Sequence, residues 1–425
     1  MTTADSVVDT ELPKGAAMSE PEGHDLILEG VTILDLTQYL AGAGITRMMA
    51  ELGADIIKVE LPDTGDGGRL LPVVLDSGRS AWFVQHNRGK KSLCVDWNTS
   101  EGLQLIKDLV PKVDVVAENS GTPDILAKRG LDYESLRELN PEIIMASVSA
   151  FGRNSPYSHK TGYDFIVQAF SGLMHMTGDP DGPPHFVGSA IADTGTAVHT
   201  FGALGYALYH RERTGRGQHL DIAMVDCMFH MHEGHLECAH FSDYEPKRTG
   251  THHELVFPVG TFRGPEGWIV VLALDLQWPN FCRAIDRTDL IDDARYKTMP
   301  DRAARRHELI ELTEAWMATF ATDAGVIARL EAHRVPCSPV LSPTDALDHP
   351  YFQARDMVRW IDDPLAGEMP IPGFPFKFGD QPQLPDLVAP TLGQHNAEVL
   401  RSHLGLDDEE IAELTAAGVL RQGST

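Results

Sequence analysis

The stretch GSAIADTGTAVHTFGALGYALYH, Gly188 to His210, sets one carboxylate, Asp193, among small and apolar residues. Two chemistries suit an acid there. One is a helix cap: Asp is a preferred N-cap, and Val198, Phe201, Leu204 and Leu208 mark a helix face just after it. The other is a nucleophile, because the dipole of a helix N-terminus favours the ionised carboxylate. Gly195, Gly202 and Gly205 each weaken a helix by about 1 kcal/mol relative to Ala. Something is therefore expected to pack closely against it.

Three other patterns could do chemistry. GAG at Gly42 to Gly44, with Glu60 closing the next strand, imitates a dinucleotide fingerprint, but Arg47 replaces the glycine that close helix–strand packing requires. A tight turn in an αβ unit accounts for it. His230, His232, His235 and His240 in FHMHEGHLECAH invite a metal, yet HEGH lacks the HExxH spacing of a zincin. A polar or interface helix is expected there, with no metal. The loop NRGKKSLCVDW gathers Arg88, Lys90 and Lys91, a candidate phosphate clamp or else a solvated charge cluster.

Composition narrows the partners. The chain has 425 residues, 42% of them hydrophobic, and 62 acidic against 35 basic side chains give a formal charge of -27. That charge repels nucleic acid and anionic membranes, so any anionic ligand must be met by local cations. The five cysteines are odd in number and include no CxxC pair, which argues against a disulfide framework or a zinc site. No apolar run is long enough to span a bilayer. Residues 1–25 read as a loose acidic tail rather than a signal peptide, so a cytoplasmic protein is expected.

The elements that must position Asp193 follow from periodicity. VTILDL, ADIIKVE, KSLCVDW, VDVVAEN and EIIMASVSAFG read as buried strands. ITRMMAELG, SEGLQLIKDLV and YESLREL read as helices between them. This alternation predicts a parallel, doubly wound α/β sheet in residues 26–225. HLDIAM reads as a further strand, and VDCMFHMHEGHLECAHF as a linker helix within 226–255. The hairpin-like VGTFRGPEGWIVVLAL and two amphipathic helices after it define a smaller α+β domain over 256–342. Residues 343–425 read as a return to the first domain.

Together, ILDLTQYLAGAGITRMMAELGADIIKVE, NRGKKSLCVDW, VVAENSG, TGYDFIVQAFSGLM, TGDPDGPP, GSAIADTGTA, RTGRGQHLDIAM and LGQHNAEVLRSHLG resemble family III CoA-transferases. The resemblance runs from about Leu26 to the C-terminus. It implies a Rossmann-like large domain completed by the C-terminal segment, a small domain, and two chains interlocked as a homodimer. It makes Asp193 the covalent nucleophile. It places CoA contacts at Tyr39, Leu40 and Ala41, at Val95 to Asn98, at Asn119 and Ser120, at Lys128, and at Tyr163 beside Asp164. No tightly bound cofactor is implied; a coenzyme A thioester is the substrate, with a carboxylic acid as its partner. An acyl-aspartyl anhydride and an enzyme–CoA thioester would be the intermediates, with backbone N–H groups near Gly195 steadying the oxyanion.

The chain also departs from formyl-CoA transferase. Leu40 stands where that enzyme has Gln and Leu61 where it has Arg, and no four-glycine loop occurs between Thr249 and Gly267. These departures argue against formate and oxalate as substrates. An acyl-CoA racemase is the nearest alternative, but Tyr163 occupies the position of its histidine base, and a phenol near pKa 10 is a poor base at neutral pH. A CoA-ester-binding protein without turnover is the remaining alternative.

Overall fold

The computed structural model describes residues 26–71, 74–119, 123–379, 384–385 and 387–423; the stretch 1–25 and Ser120 lie outside them. Strands β1 (Thr32–Leu36), β2 (Asp55–Glu60), β3 (Lys90–Cys94), β4 (Val115–Glu118), β5 (Ile144–Ser149) and β6 (His219–Ala223) form one sheet in the order β3-β2-β1-β4-β5-β6. All five pairings are parallel, with Ile33 level with both Ile56 and Val115. The helices before Phe241 are α1 (Ala41–Glu51), α2 (Ala81–Asn87), α3 (Ser100–Leu109), α4 (Pro123–Arg129) and α5 (Tyr133–Leu139). Then come α6 (Asp164–Phe170), α7 (Leu173–Met176), α8 (Ile191–Thr214), α9 (Met224–His230) and α10 (His235–Phe241).

Side chains alternate across a strand, so the apolar runs serve two cores. Ile33, Ile56, Val115 and Ile144 face a cluster shared with Ile45 and Met49 of α1 and with Ala197 and Leu204 of α8. Leu34, Ile57, Val116 and Met145 face a second cluster with Leu105, Ile106 and Leu136. Val399, Leu400, Val419 and Leu420 join this second cluster, and Cys94 N–H donates to Asn396 Oδ1 at 2.8 Å. The C-terminal segment thus lies along the β3 edge of the sheet.

A three-stranded antiparallel sheet, β7 (Val259–Arg263), β8 (Trp268–Leu272) and β9 (Cys337–Pro339), carries its own cluster, which includes Phe262, Ile269, Phe281, Leu309 and Leu330. Four α-helices, not two, lie between its second and third strands: Trp278–Ala284, Met299–Ala304, Arg306–Met317 and Asp323–Ala332. A hairpin of β10 (Val358–Asp363) and β11 (Gly367–Pro372) follows. The expected linker helix is also interrupted, because Gly234, at φ 140°, separates α9 from α10. His232 lies in that break with Nε2 2.8 Å from the Ser171 carbonyl oxygen, so helical spacing does not relate it to His235.

The GAG glycines serve packing. A Cβ on Gly42 would lie 2.5 Å from Thr37 Cβ, and one on Gly44 would lie 3.2 Å from Ala197 Cβ on α8. Close approach of α1 to the loop before it therefore needs glycine at position 42, and its approach to α8 leaves little room for a side chain at position 44.

Candidate active site

The order of the sheet reverses between β1 and β4, and in doubly wound sheets ligands bind outside the carboxyl ends of the strands at such a switch point. A cleft of about 280 Å³ opens there. Gln38, Tyr39 and Ala41 after β1, Asn119 after β4 and Ser149 at the end of β5 form one side of it. Lys160, Thr161, Gly162 and Tyr163 line another side, and Asp193 and Met224 also face it.

Asp193 is the third residue of α8, not its cap. The capping side chain is Asp164, whose Oδ2 accepts the amide protons of Ala192 at 2.7 Å and Asp193 at 3.1 Å. Gln168 Nε2 donates to Asp164 Oδ1 at 2.5 Å and its Oε1 accepts from the Val187 amide, so the capping carboxylate is itself held. Burial, and then the like charge of Asp164, push the Asp193 carboxyl up to about 7. The helix N-terminus was expected to favour the ionised carboxylate; desolvation and a neighbouring anion outweigh it here, so the carboxyl is harder to ionise than an ordinary aspartate. The backbone donors expected near Gly195 are also spent, since Thr194 N–H donates to the Ala190 carbonyl and the two amides before it to Asp164.

The buried face of α8 is Ala192, Thr196, Ala197, Thr200, Leu204 and Ala207, whereas Val198, expected on it, is exposed. Thr196 and Thr200 return their hydroxyl protons to carbonyls one turn back, which lets them sit in the core. Of the three helix glycines, Gly195 meets a neighbour, as an added Cβ would lie 2.5 Å from Met228 Cε; Gly202 and Gly205 have nothing within 4 Å.

The structure brings Tyr39, Ala41, Asn119, Tyr163 and Asp193 to one cleft. The Tyr39 and Tyr163 rings meet edge to face at 6.2 Å. Leu40 and Val95 are buried, and Asn98 is exposed with its amide on Asp96. Lys128 is exposed on α4. The phosphate clamp needs correction. Lys90 is buried and its ammonium donates to Asp35 Oδ2, the Ala43 carbonyl and Asn87 Oδ1, each at 2.9 Å. Its three protons are used, and burial lowers its pKa to about 8. Arg88 is likewise buried against Glu51. Lys91 pairs with Asp55 and Glu398 at the amino end of β3, away from the carboxyl ends that form the cleft.

Lys160, Gln38 and Met224 were not found from the sequence. Lys160 stands three residues before Tyr163 and lies 4.0 Å over the Tyr157 ring. Its signal is the loop SHKTGYD, of which the motif TGYD covers only Thr161 onward. No group of three or more metal-ligating side chains occurs among the described residues. None of the helices there is long and apolar enough to cross a membrane.

Fold and site together define an α/β protein with a carboxyl group in a switch-point cleft, at the start of its longest helix. The chain belongs to CoA-transferase family III, whose family model matches residues 28–396. It is 34% identical to succinyl-CoA:glutarate CoA-transferase of Homo sapiens, over 94% of this chain and 91% of that protein. It is 37% identical to succinyl-CoA:mesaconate CoA-transferase of Haloarcula hispanica, over 88% of this chain and 95% of the relative. Formyl-CoA:oxalate CoA-transferase of Streptomyces avermitilis is 33% identical, over 92% and 99%. A CAIB/BAIF family protein from Brucella suis superposes with a TM-score of 0.79 at 34% identity, covering 89% of this chain and all of that one. The chain is thus a CoA-transferase, an enzyme that moves CoA between carboxylic acids and takes CoA thioesters as substrates.

Proposed function

We propose that this enzyme transfers CoA from succinyl-CoA or a similar acyl-CoA to a dicarboxylic acid, with Asp193 as the nucleophile. The observation that carries the reading is the Asp193 carboxyl at the mouth of α8 in the switch-point cleft, where no described hydrogen bond or ion pair occupies it. The relatives named above act on glutarate, mesaconate and oxalate, which are all dicarboxylic acids.

The ionised Asp193 oxygen attacks the thioester carbonyl, the C–S bond breaks, and CoA leaves as thiolate. A mixed anhydride remains. The thiolate attacks Asp193 Cγ and expels the first acid as its carboxylate, leaving an enzyme–CoA thioester. The acceptor carboxylate then attacks Cγ and frees the thiolate, which takes the acceptor acyl group from the new anhydride and restores Asp193. Burial suits this sequence, because water would hydrolyse each acyl intermediate. A pKa near 7 leaves part of the carboxyl ionised at neutral pH while making it more basic than an ordinary carboxylate. Lys160 and Lys128 receive anionic groups of the CoA ester in this reading, in place of Lys90 and Lys91.

The working form is read as a cytoplasmic homodimer. On α8, Tyr206 is 79% exposed and Tyr209 62%, on α10 Phe241 is 83% exposed, and a Cβ added to Gly202 or Gly205 of α8 would meet nothing within 4 Å among the described residues. A second copy against these helices would cover them. A stable monomer in sedimentation at micromolar concentration would remove this part.

The test is to incubate the protein with succinyl-CoA against a panel of mono- and dicarboxylic acids and to weigh the product thioesters. Hydroxylamine added with acyl-CoA should leave a hydroxamate on the peptide carrying Asp193. Transfer without any adduct there, or an adduct on Asp164, would sink the assignment.

A further inference from the structure

Tyr39 lines the cleft with a backbone φ of 60°, the left-handed region that a bulky side chain rarely adopts. The loop that carries it is held at each residue. Thr37 N–H donates to Asp35 Oδ1 at 2.8 Å, and its carbonyl accepts from Lys58 Nζ at 2.9 Å. Gln38 exchanges two 2.8 Å hydrogen bonds with the Asn119 amide. Tyr39 N–H donates to Asp66 Oδ1 at 2.8 Å.

Asp66 is fixed in turn. Its Oδ2 pairs with Lys58 Nζ at 2.7 Å with both side chains fully buried, and its amide donates to Glu60 Oε2 at 2.9 Å. The next residue, Gly67, lies against the Tyr39 ring. A Cβ there would overlap Cζ and stand 2.5 Å from Cε1. Gly67 has no positive φ, so its backbone does not call for glycine; the space occupied by the ring does.

We infer that Asp66 and Gly67 are positioning residues for the transfer reaction. The carboxylate holds the Tyr39 backbone in its left-handed state, and the missing Cβ lets the ring stand beside Tyr163 at the cleft. The turn after β2 thereby sets the shape of the wall that the CoA ester meets. The inference rests on reading the cleft as the CoA-ester site.

Gly67→Ala isolates the effect, because its new methyl group overlaps the ring and leaves the Lys58–Asp66 pair intact. Calorimetry with coenzyme A and steady-state kinetics with succinyl-CoA should show Kd and KM raised at least ~5-fold and kcat changed less than ~2-fold. In a Tyr39→Ala background the same substitution should change Kd less than ~2-fold, since the group it displaces is gone. Gly67→Ala with wild-type Kd, or with the same penalty in both backgrounds, overturns the inference. Hydrogen exchange in the absence of ligand judges the Asp66 arm. The Tyr39 amide should exchange at least ~10-fold faster in Asp66→Ala, and unchanged protection counts against it. Should Asp66→Ala fail to fold, Asp66→Asn keeps the acceptor and should retain protection; rapid exchange there overturns the arm. Wild-type protein that does not bind coenzyme A removes the proposed function, while the exchange measurement still decides whether Asp66 holds Tyr39.

Discussion

Asp164 caps the helix that carries Asp193, accepting the Asp193 amide proton at 3.1 Å while its charge raises the pKa of the Asp193 side chain. One carboxylate thus fixes the backbone of the other and resists its ionisation. The division separates two roles that a single aspartate was expected to combine.

Asp193→Asn should abolish transfer while sparing the fold. A neutral amide forms no anhydride, so kcat should fall at least ~10³-fold. No described hydrogen bond uses the Asp193 carboxyl, and the substitution removes a partly buried charge beside Asp164. The thermal midpoint should therefore stay within about 2 °C of wild type or rise. A large drop in the midpoint would show that Asp193 holds the fold instead.

Activity and stability should move in opposite directions with pH. In the proposed reaction only ionised Asp193 attacks, so kcat should climb with pH through about 7 and then level off. The folded pKa lies above the ordinary 3.8, so the native state binds the extra proton between about pH 4 and 7 and loses stability as pH rises through that window. Denaturant titrations of wild type and Asp193→Asn should differ in slope there, and identical slopes would contradict the perturbed carboxyl.

Asp164→Asn and Asp164→Ala should separate charge from capping. Asn retains an oxygen for the Ala192 and Asp193 amides, so stability should change little, while the kcat midpoint moves to lower pH. Ala leaves both amides without their acceptor and should cost about 1–2 kcal/mol. A kcat midpoint that stays near 7 in Asp164→Asn would leave burial as the sole cause.

Lys160→Ala and Lys90→Ala should fail in different ways. Without Lys160, CoA binding should weaken about tenfold and its salt dependence should flatten, with an unchanged thermal midpoint. Losing Lys90 removes one of the two lysines facing the buried Asp35, which keeps Lys58 and the Thr37 and Thr46 hydroxyls, and should cost about 1–3 kcal/mol of stability. If Lys90→Ala folds normally and loses only CoA affinity, the ammonium serves the ligand after all.

Apolar alternation made the parallel sheet legible in the sequence. TILDL, DIIKVE and IMASVS place successive residues on opposite faces, and both faces are apolar, so a two-sided core follows from local pattern alone. The interruption at Gly234 escaped the same reading, because a single glycine in a periodic segment is compatible with a continuous helix.

Asp193, Tyr39, Asn119 and Tyr163 were named from motif resemblance, and the fold brings them to one cleft although they are far apart in the chain. Lys90, expected at a phosphate, is buried, whereas Lys160, to which the sequence reading gave no role, lines the cleft; charge is visible in sequence, but burial is not. Lys90 lies in the β3 run, where Asp35, Asn87 and a carbonyl from α1 converge on it; Lys160 sits in the loop after β5, lining the cleft with residues that follow β1 and β4.

The sequence by itself determined the strand–helix alternation of the parallel sheet, the two-sided core and the carboxylate at the head of a helix, since these depend on neighbours within a few turns of chain. Tertiary structure alone decided which acid caps, which is raised toward neutrality and which lysine reaches the cleft. Those properties depend on desolvation and on charges brought together from distant segments, and a residue's own neighbours in sequence carry no record of either.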